Sequence, residues 1–306
     1  MSPAAPRRSM GQSLKQEEEP MTATPSSWKN ISVFLDESPA GQALCLCAAS
    51  LAHRFGARLV GVHCLRSAEG ERPADGFVRG REAMDKVIAR LREEQESRLI
   101  SMGHHFGALA RRFDLATEFR VIRDGNGDEE ALPNSLHSDL LVLGNPTPHG
   151  LPEKWTAEKL FMASGVPTLL IPDNWSGVDI GHRVLVAWNG SRQARRAIAD
   201  AMPILVNAAE VTVLIVDSLR TPERFGEAPG VDISTHLARH GVPVELDRVE
   251  SHGAPVASVL AAEASRRSAD MVVIGAYSRA RSAELLFGGV TRDLLAHTPL
   301  PILTAR

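Results

Sequence analysis

Gly275, Ser278, Gly288, Gly289 and Thr291 are spaced as a loop that could hold a phosphate. The run Gly275-Ala276-Tyr277-Ser278-Arg279 leads through an excursion to Gly288-Gly289-Val290-Thr291, and a helix is expected from about Val290 through Arg292, Leu294 and Leu295. Glycines ahead of a helix start leave backbone N–H groups bare, and the helix dipole favours an anion there. Thr291 adds a hydroxyl, and Arg279 or Arg281 a charge-assisted donor. An ordinary glycine-rich turn into a helix has the same look, so spacing alone does not decide.

Other residues carry weaker signals. Cys45-x-Cys47 in an apolar helix puts its sulfurs on different faces, which reads as buried structural thiols rather than a metal or redox pair. His104-His105 falls near the end of a charged helix without a Cys or acidic pattern beside it, and reads as a solvated loop. His252 follows a strand and could rim a crevice, with no identifiable catalytic partner.

A fold must position these residues, and the chain describes its fold nearly twice. Residues 139–144 read Asp-Leu-Leu-Val-Leu-Gly and residues 270–275 read Asp-Met-Val-Val-Ile-Gly. Five apolar runs recur in each half. The first half has Ile31–Leu35, Arg58–His63, Glu118–Ile122, Leu140–Leu143 and Thr168–Ile171; the second has Val184–Trp188, Val211–Val216, Val242–Leu246, Met271–Ile274 and Pro301–Thr304. Continuous Val/Ile/Leu runs suit strands covered on both faces. Helical patterns lie between them at 40–55 (stopped by Gly56), 74–102, 191–208 (capped by Ser191) and 254–268, with less regular stretches at 128–138 and 219–240. The expected class is α/β: two tandem Rossmann-like domains, each a five-stranded mostly parallel sheet with helices on both faces. The division is a disordered leader 1–27, domains 28–174 and 183–306, and a linker 175–182 within the Pro172–His182 stretch. The final strands, 168–171 and 301–304, are the natural contact of an internal pseudo-dimer.

Composition narrows the function. The chain has 306 residues, 43% apolar and 23% charged, as globular domains do. A net charge of -3 and a pI near 6.4 argue against nucleic acid as a partner. No apolar run approaches the ~20 residues of a membrane span. Three cysteines are too few, and odd in number, for a disulfide framework. The simplest expectation is a soluble cytoplasmic protein without a secretory signal.

On the phrase Val-Ala-Trp-Asn-Gly-Ser (186–191) and the tail Gly275…Gly288-Gly289-Val290-Thr291…Thr298-Pro299-Leu300-Pro301-Ile302-Leu303, the chain resembles the universal stress protein family. The resemblance covers roughly residues 29–306 as two tandem copies. Nucleotide-binding members carry a Gly-x2-Gly-x9-Gly-(Ser/Thr) loop after strand four, which cradles ATP phosphates. They also carry an Asp-Gly-Ser phrase after strand one, which contacts the nucleoside. The resemblance therefore implies a second-half site of Ala187, Asn189, Gly190, Val216, Gly275, Ser278, Arg279, Gly288, Gly289 and Thr291. Its cofactor would be ATP or another adenine nucleotide with Mg²⁺.

The match is partial. Ser278 replaces the second glycine, Gly289 stands where Ser or Thr is usual, and Asn189 replaces the strand-one Asp, which implies weak or altered binding. The first half keeps Asp36 and Ser38, but Pro146 and Pro148 remove backbone donors, and Glu158 lies where the glycine pair would open the helix. That half reads as degenerate for ATP and mainly structural. The leading expectation is a tandem stress-response binding module, an internal pseudo-dimer and also a candidate homodimer, with no catalytic residue and no protein metal site. A ligand-free protein-interaction scaffold and a slow nucleotide hydrolase drawing on Ser282, Glu284 or His252 stay open.

Overall fold

An acidic residue in each half fastens the start of that half's first strand. Asp139, just ahead of the strand-four run, accepts from the N–H groups of Lys29 (2.7 Å) and Asn30 (2.8 Å). Asp270, its repeat, accepts from Gly181, His182 and Arg183 at 3.0, 2.9 and 3.2 Å. The duplicated carboxylate thus satisfies the orphan donors where each half's first strand begins. These features come from a computed structural model that describes residues 27–65, 81–123, 130–220, 228–276, 289–297 and 299–306. Most of the leader lies outside them.

The first half contributes β1 (Asn30–Phe34), α1 (Pro39–Phe55), β2 (Arg58–Leu65), α2 (Arg81–Arg112), β3 (Thr117–Arg123), β4 (Leu140–Asn145), α3 (Ala157–Ser164) and β5 (Thr168–Pro172). The second contributes β6 (Arg183–Ala187), α4 (Arg192–Val206), β7 (Glu210–Val216), α5 (Val231–Arg239), β8 (Val244–Val249), α6 (Val256–Arg266), β9 (Met271–Gly275), α7 (Gly289–His297) and β10 (Ile302–Ala305). The expected α/β architecture is present, with one addition. The two five-stranded sheets join into a single sheet of order β3-β2-β1-β4-β5-β10-β9-β6-β7-β8. Every neighbouring pair is parallel except β5 and β10, which run antiparallel with Ile302 opposite Leu170, Leu303 opposite Leu169 and Thr304 opposite Thr168.

Both faces of the inner strands are covered, which is why these read as near-unbroken apolar runs, while the edge strands β3 and β8 are partly exposed and carry charged residues. On one face α1, α2, α4 and α5 share a core that runs through both halves, including Leu44, Leu51, Phe106, Ile198 and Leu237. On the other face each half has its own cluster, centred on Leu141, Leu143 and Leu160 in one and Leu260, Val272 and Leu294 in the other. Leu295 of α7 packs against both of these, and against Phe161 and Ala276 as well. The segment after β5 lies along α1, where Ser50 Oγ donates to Asp179 (2.7 Å) and Arg54 to the Ile180 carbonyl (2.7 Å).

Three sequence expectations need correction. The long helix does not stop near residue 102 but continues to Arg112, so His104 and His105 are helical rather than in a loop. Met102, Phe106 and Leu109 recur at helical spacing and are buried, and this packing outweighs the helix-breaking tendency of Gly103 and Gly107. Phe106 sits directly over Gly61 of β2, where an added Cβ would come within 2.6 Å of the ring. Second, residues 131–137 form turns, with only Glu130 helical in the described part of 128–138. Third, among the described residues of 219–240 the helix is α5, and a short 3-10 turn spans Ser218–Arg220.

Candidate functional site

The two halves are built alike where strand one ends. In the second half, β6 ends at Ala187, and Asn189 Oδ1 accepts from the Ser191 N–H at 3.2 Å. Ser191 Oγ then caps α4 by accepting from Ala194 N at 3.1 Å. Gly190, at φ +65°, supplies the left-handed residue of this turn. Gly275 ends β9 against α4: a Cβ there would lie 2.3 Å from the Ala194 nitrogen. Val216 closes β7, half-buried, and Asp217 beyond it accepts from Ser251 N (2.8 Å) and Oγ (2.7 Å).

Ala187, Asn189, Gly190, Val216 and Gly275 thus gather at the ends of the neighbouring strands β6, β7 and β9. Gly289 opens α7 and is exposed, whereas Thr291 is 3% exposed and turned into the protein. Ser278, Arg279 and Gly288, like Arg281, Ser282 and Glu284, lie outside the described residues. His252 is exposed after β8, with φ +50°.

In the first half the same turn carries more. Asp36 Oδ1 accepts from Ser38 N (3.0 Å) and Ser38 Oγ (2.5 Å), and Ser38 Oγ caps α1 through Gly41 N at 3.0 Å. The loop after β4 folds down onto this turn. Its Gly150, at φ +71°, approaches Leu35 so closely that a Cβ would lie 2.3 Å from the Leu35 nitrogen. His149 is thereby inserted between two carboxylates: Nδ1 is 3.0 Å from Asp36 Oδ2 and Nε2 is 3.2 Å from Asp173 Oδ1. A carboxylate only accepts, so both contacts are satisfied together when each ring nitrogen carries a proton. Burial pushes the Asp36 carboxyl upward, but hydrogen bonds from Ser38 and His149 and the charge of the imidazole outweigh it and hold the group below its ordinary value.

Ser38, His149 and Asp173 are the residue types of a nucleophilic triad, with Ser38 Oγ 3.2 Å from His149 Nδ1. The hydroxyl, however, gives its one proton to Asp36 and accepts from the helix N–H, so Ser38 acts as a fixed cap and not as a free nucleophile. Beside this cluster lies a cavity of about 510 Å³, lined by His63, Glu153 and Trp155 among others. Sequence reasoning missed His149, His63 and Asp173 as site residues. They stand far apart in the chain and meet only because β1, β2, β4 and β5 end side by side; no local spacing announces them.

Cys45 and Cys47 are buried free thiols, as their helix positions suggested, and burial pushes both up to about 12. Among the described residues no cluster of His, Cys, Asp or Glu could hold a metal ion, and no helix is long and apolar enough to cross a membrane.

The sequence pattern of the universal stress protein family matches residues 27–172 and again 181–306. No curated protein matches the chain in sequence. Among solved structures, a universal stress protein from Archaeoglobus fulgidus is similar with a TM-score of 0.61 at 12% identity, over 90% of this chain and 96% of that one. A functionally unknown protein from Pseudomonas aeruginosa is similar with a TM-score of 0.52 at 16% identity, over 90% and 92%. At such identities the likeness establishes the fold.

Proposed function

Because the chain belongs to the universal stress protein family, with two copies of the family unit in tandem, we propose that it is a binding module whose second half takes an adenine nucleotide. The observation that supports this is the end of β6. Asn189 commits its oxygen to Ser191 and leaves its amide group without a partner among the described residues, beside Gly190 and at the same strand ends as Gly275. A carboxamide there suits the hydroxyls of a ribose, though less strongly than a carboxylate would. The N-terminus of α7, opening at the exposed Gly289, offers N–H groups to the phosphates. Mg²⁺ would arrive on those phosphates, held by them rather than by a protein ligand set.

The first half does not share this role in our reading, because its strand-one carboxylate is already occupied by His149. Its part is to complete the internal pseudo-dimer through β5 and β10. We assign the module a cytoplasmic stress-response role and no catalytic residue.

The test is the nucleotide content of the purified chain, by chromatography of the denatured supernatant, followed by calorimetric titration with ATP and Mg²⁺. We expect one adenine nucleotide site per chain, weakened about tenfold by Asn189→Ala, as for loss of one hydrogen-bonding partner. An empty protein that gives no titration heat at several temperatures would sink the reading in favour of a module working through protein contacts alone.

A further inference from the structure

The first-half cavity contains a polar atom with nothing to bond to. His63, on β2, is 7% exposed, and its Nδ1 lies 3.0 Å from the Leu35 carbonyl oxygen. A carbonyl only accepts, so Nδ1 carries a proton, and in the singly protonated tautomer Nε2 presents a lone pair. Nε2 has no hydrogen-bond partner among the described residues, and His63 lines the cavity wall. A ligand that displaces water from this space keeps the atom satisfied by bringing a donor to it.

The walls say which kind of donor. Asp36, Glu37, Glu94 and Glu153 line the cavity with Arg98 and His149, and His149 already holds Asp36, so Glu153 is the lining carboxylate with no partner among the described residues. Arg98 is already paired with Glu37 at 3.4 Å, and Glu94 with Arg90 at 2.9 Å. The surplus is negative, and the prolines of the β4–α3 loop supply no N–H groups, so a phosphate is disfavoured on both counts. The remaining lining includes Leu91, Leu151 and Trp155, an apolar wall for a ligand's body. A volume of about 510 Å³ is that of a small-molecule site.

We propose that this cleft binds a small organic cation, a primary ammonium on an apolar body. The ammonium donates to His63 Nε2 with Glu153 as counter-charge, and the body lies against Leu91, Leu151 and Trp155. This site is separate from the nucleotide site of the second half and does not depend on it.

The experiment is calorimetric titration of the full chain with phenethylamine at neutral pH, with phenethyl alcohol as the uncharged control. Spectra of the chain carrying ¹⁵N-labelled histidine follow His63 Nε2. The expected result is one amine per chain, an Nε2 resonance that moves on binding, and an alcohol that binds about tenfold more weakly or worse. His63→Phe should lose about tenfold in amine affinity. Because His63 is buried, the exposed Glu153→Gln serves as a second variant that leaves packing alone, and it should weaken the amine severalfold without affecting the alcohol. Equal binding of amine and alcohol, an unmoved His63 resonance, or displacement of the amine by ATP would each overturn the proposal. The ATP titration reads Asn189 and the amine titration reads His63, so failure of one is distinguishable from failure of the other.

Discussion

The side-chain amide of Asn145 donates to the carbonyl oxygen of Leu295 across 3.0 Å, joining the last residue of β4 to a helix of the opposite half. That carbonyl belongs to the last turn of α7, where helices leave acceptors unsatisfied. Asn145→Ala should lower stability by about 1 kcal/mol, the usual net worth of such a bond. Urea unfolding checks it; an unchanged midpoint would mean that water replaces the amide without loss.

The seam itself should matter more. Leu303 and Leu169 face each other across β10 and β5, and both are fully buried. Leu303→Ala should lower stability by about 2–5 kcal/mol through lost burial and the void left behind. Paired with Leu169→Ala, the loss should fall short of the sum, because both truncations open the same space.

Two glycines predict opposite outcomes. An alanine at Gly275 would force its Cβ into the backbone of Gln193 and Ala194, and Gly275→Ala should destabilise by about 1–3 kcal/mol while weakening ATP. Gly289 has nothing within 4 Å of an added Cβ, so Gly289→Ala should be neutral or slightly stabilising. Thermal melts of the two variants side by side would show whether close approach is the reason for the first glycine.

Acid should act through Asp36. Its folded-state pKa lies below the ordinary carboxylate value of 3.8, so the folded chain binds fewer protons there than the unfolded chain. The resulting stability is present above that ordinary value and is lost as the pH falls through the folded one. The advantage of the wild type over Asp36→Asn should therefore shrink between about pH 5 and about pH 2. Urea midpoints across that range measure it, and a constant difference would mean that the carboxylate gains nothing from Ser38 and His149.

Cys45 and Cys47 should resist alkylation in the folded chain. Burial pushes both up to about 12, so neither presents a thiolate at neutral pH until its helix leaves the sheet. Labelling followed by mass spectrometry should track global unfolding; rapid modification under native conditions would reveal a local opening of α1.

Much of this fold was legible because the inner strands are buried on both faces and therefore read as plain apolar runs. Ser191 and Gly56 announced a helix start and a helix stop, and each performs that role through a local bond or a left-handed turn. The end of α2 was misread because the contacts that hold its last turns, Phe106 over Gly61 among them, come from β2, far earlier in the chain. Ala187, Asn189, Gly190, Val216 and Gly275 could be placed at or just beyond strand ends from the local pattern alone. His149 was not, because its meaning depends on Asp36 and Asp173, which only the sheet order brings beside it.

The antiparallel register of β5 and β10 has a consequence for anything large that visits this molecule. Because the strands of one half point against those of the other, the two mouths look away from each other, toward opposite sides of the sheet's long axis. A partner protein seated over one mouth would not shade the other. Helices α3 and α7 each start on the side of their own half's mouth and end toward the other.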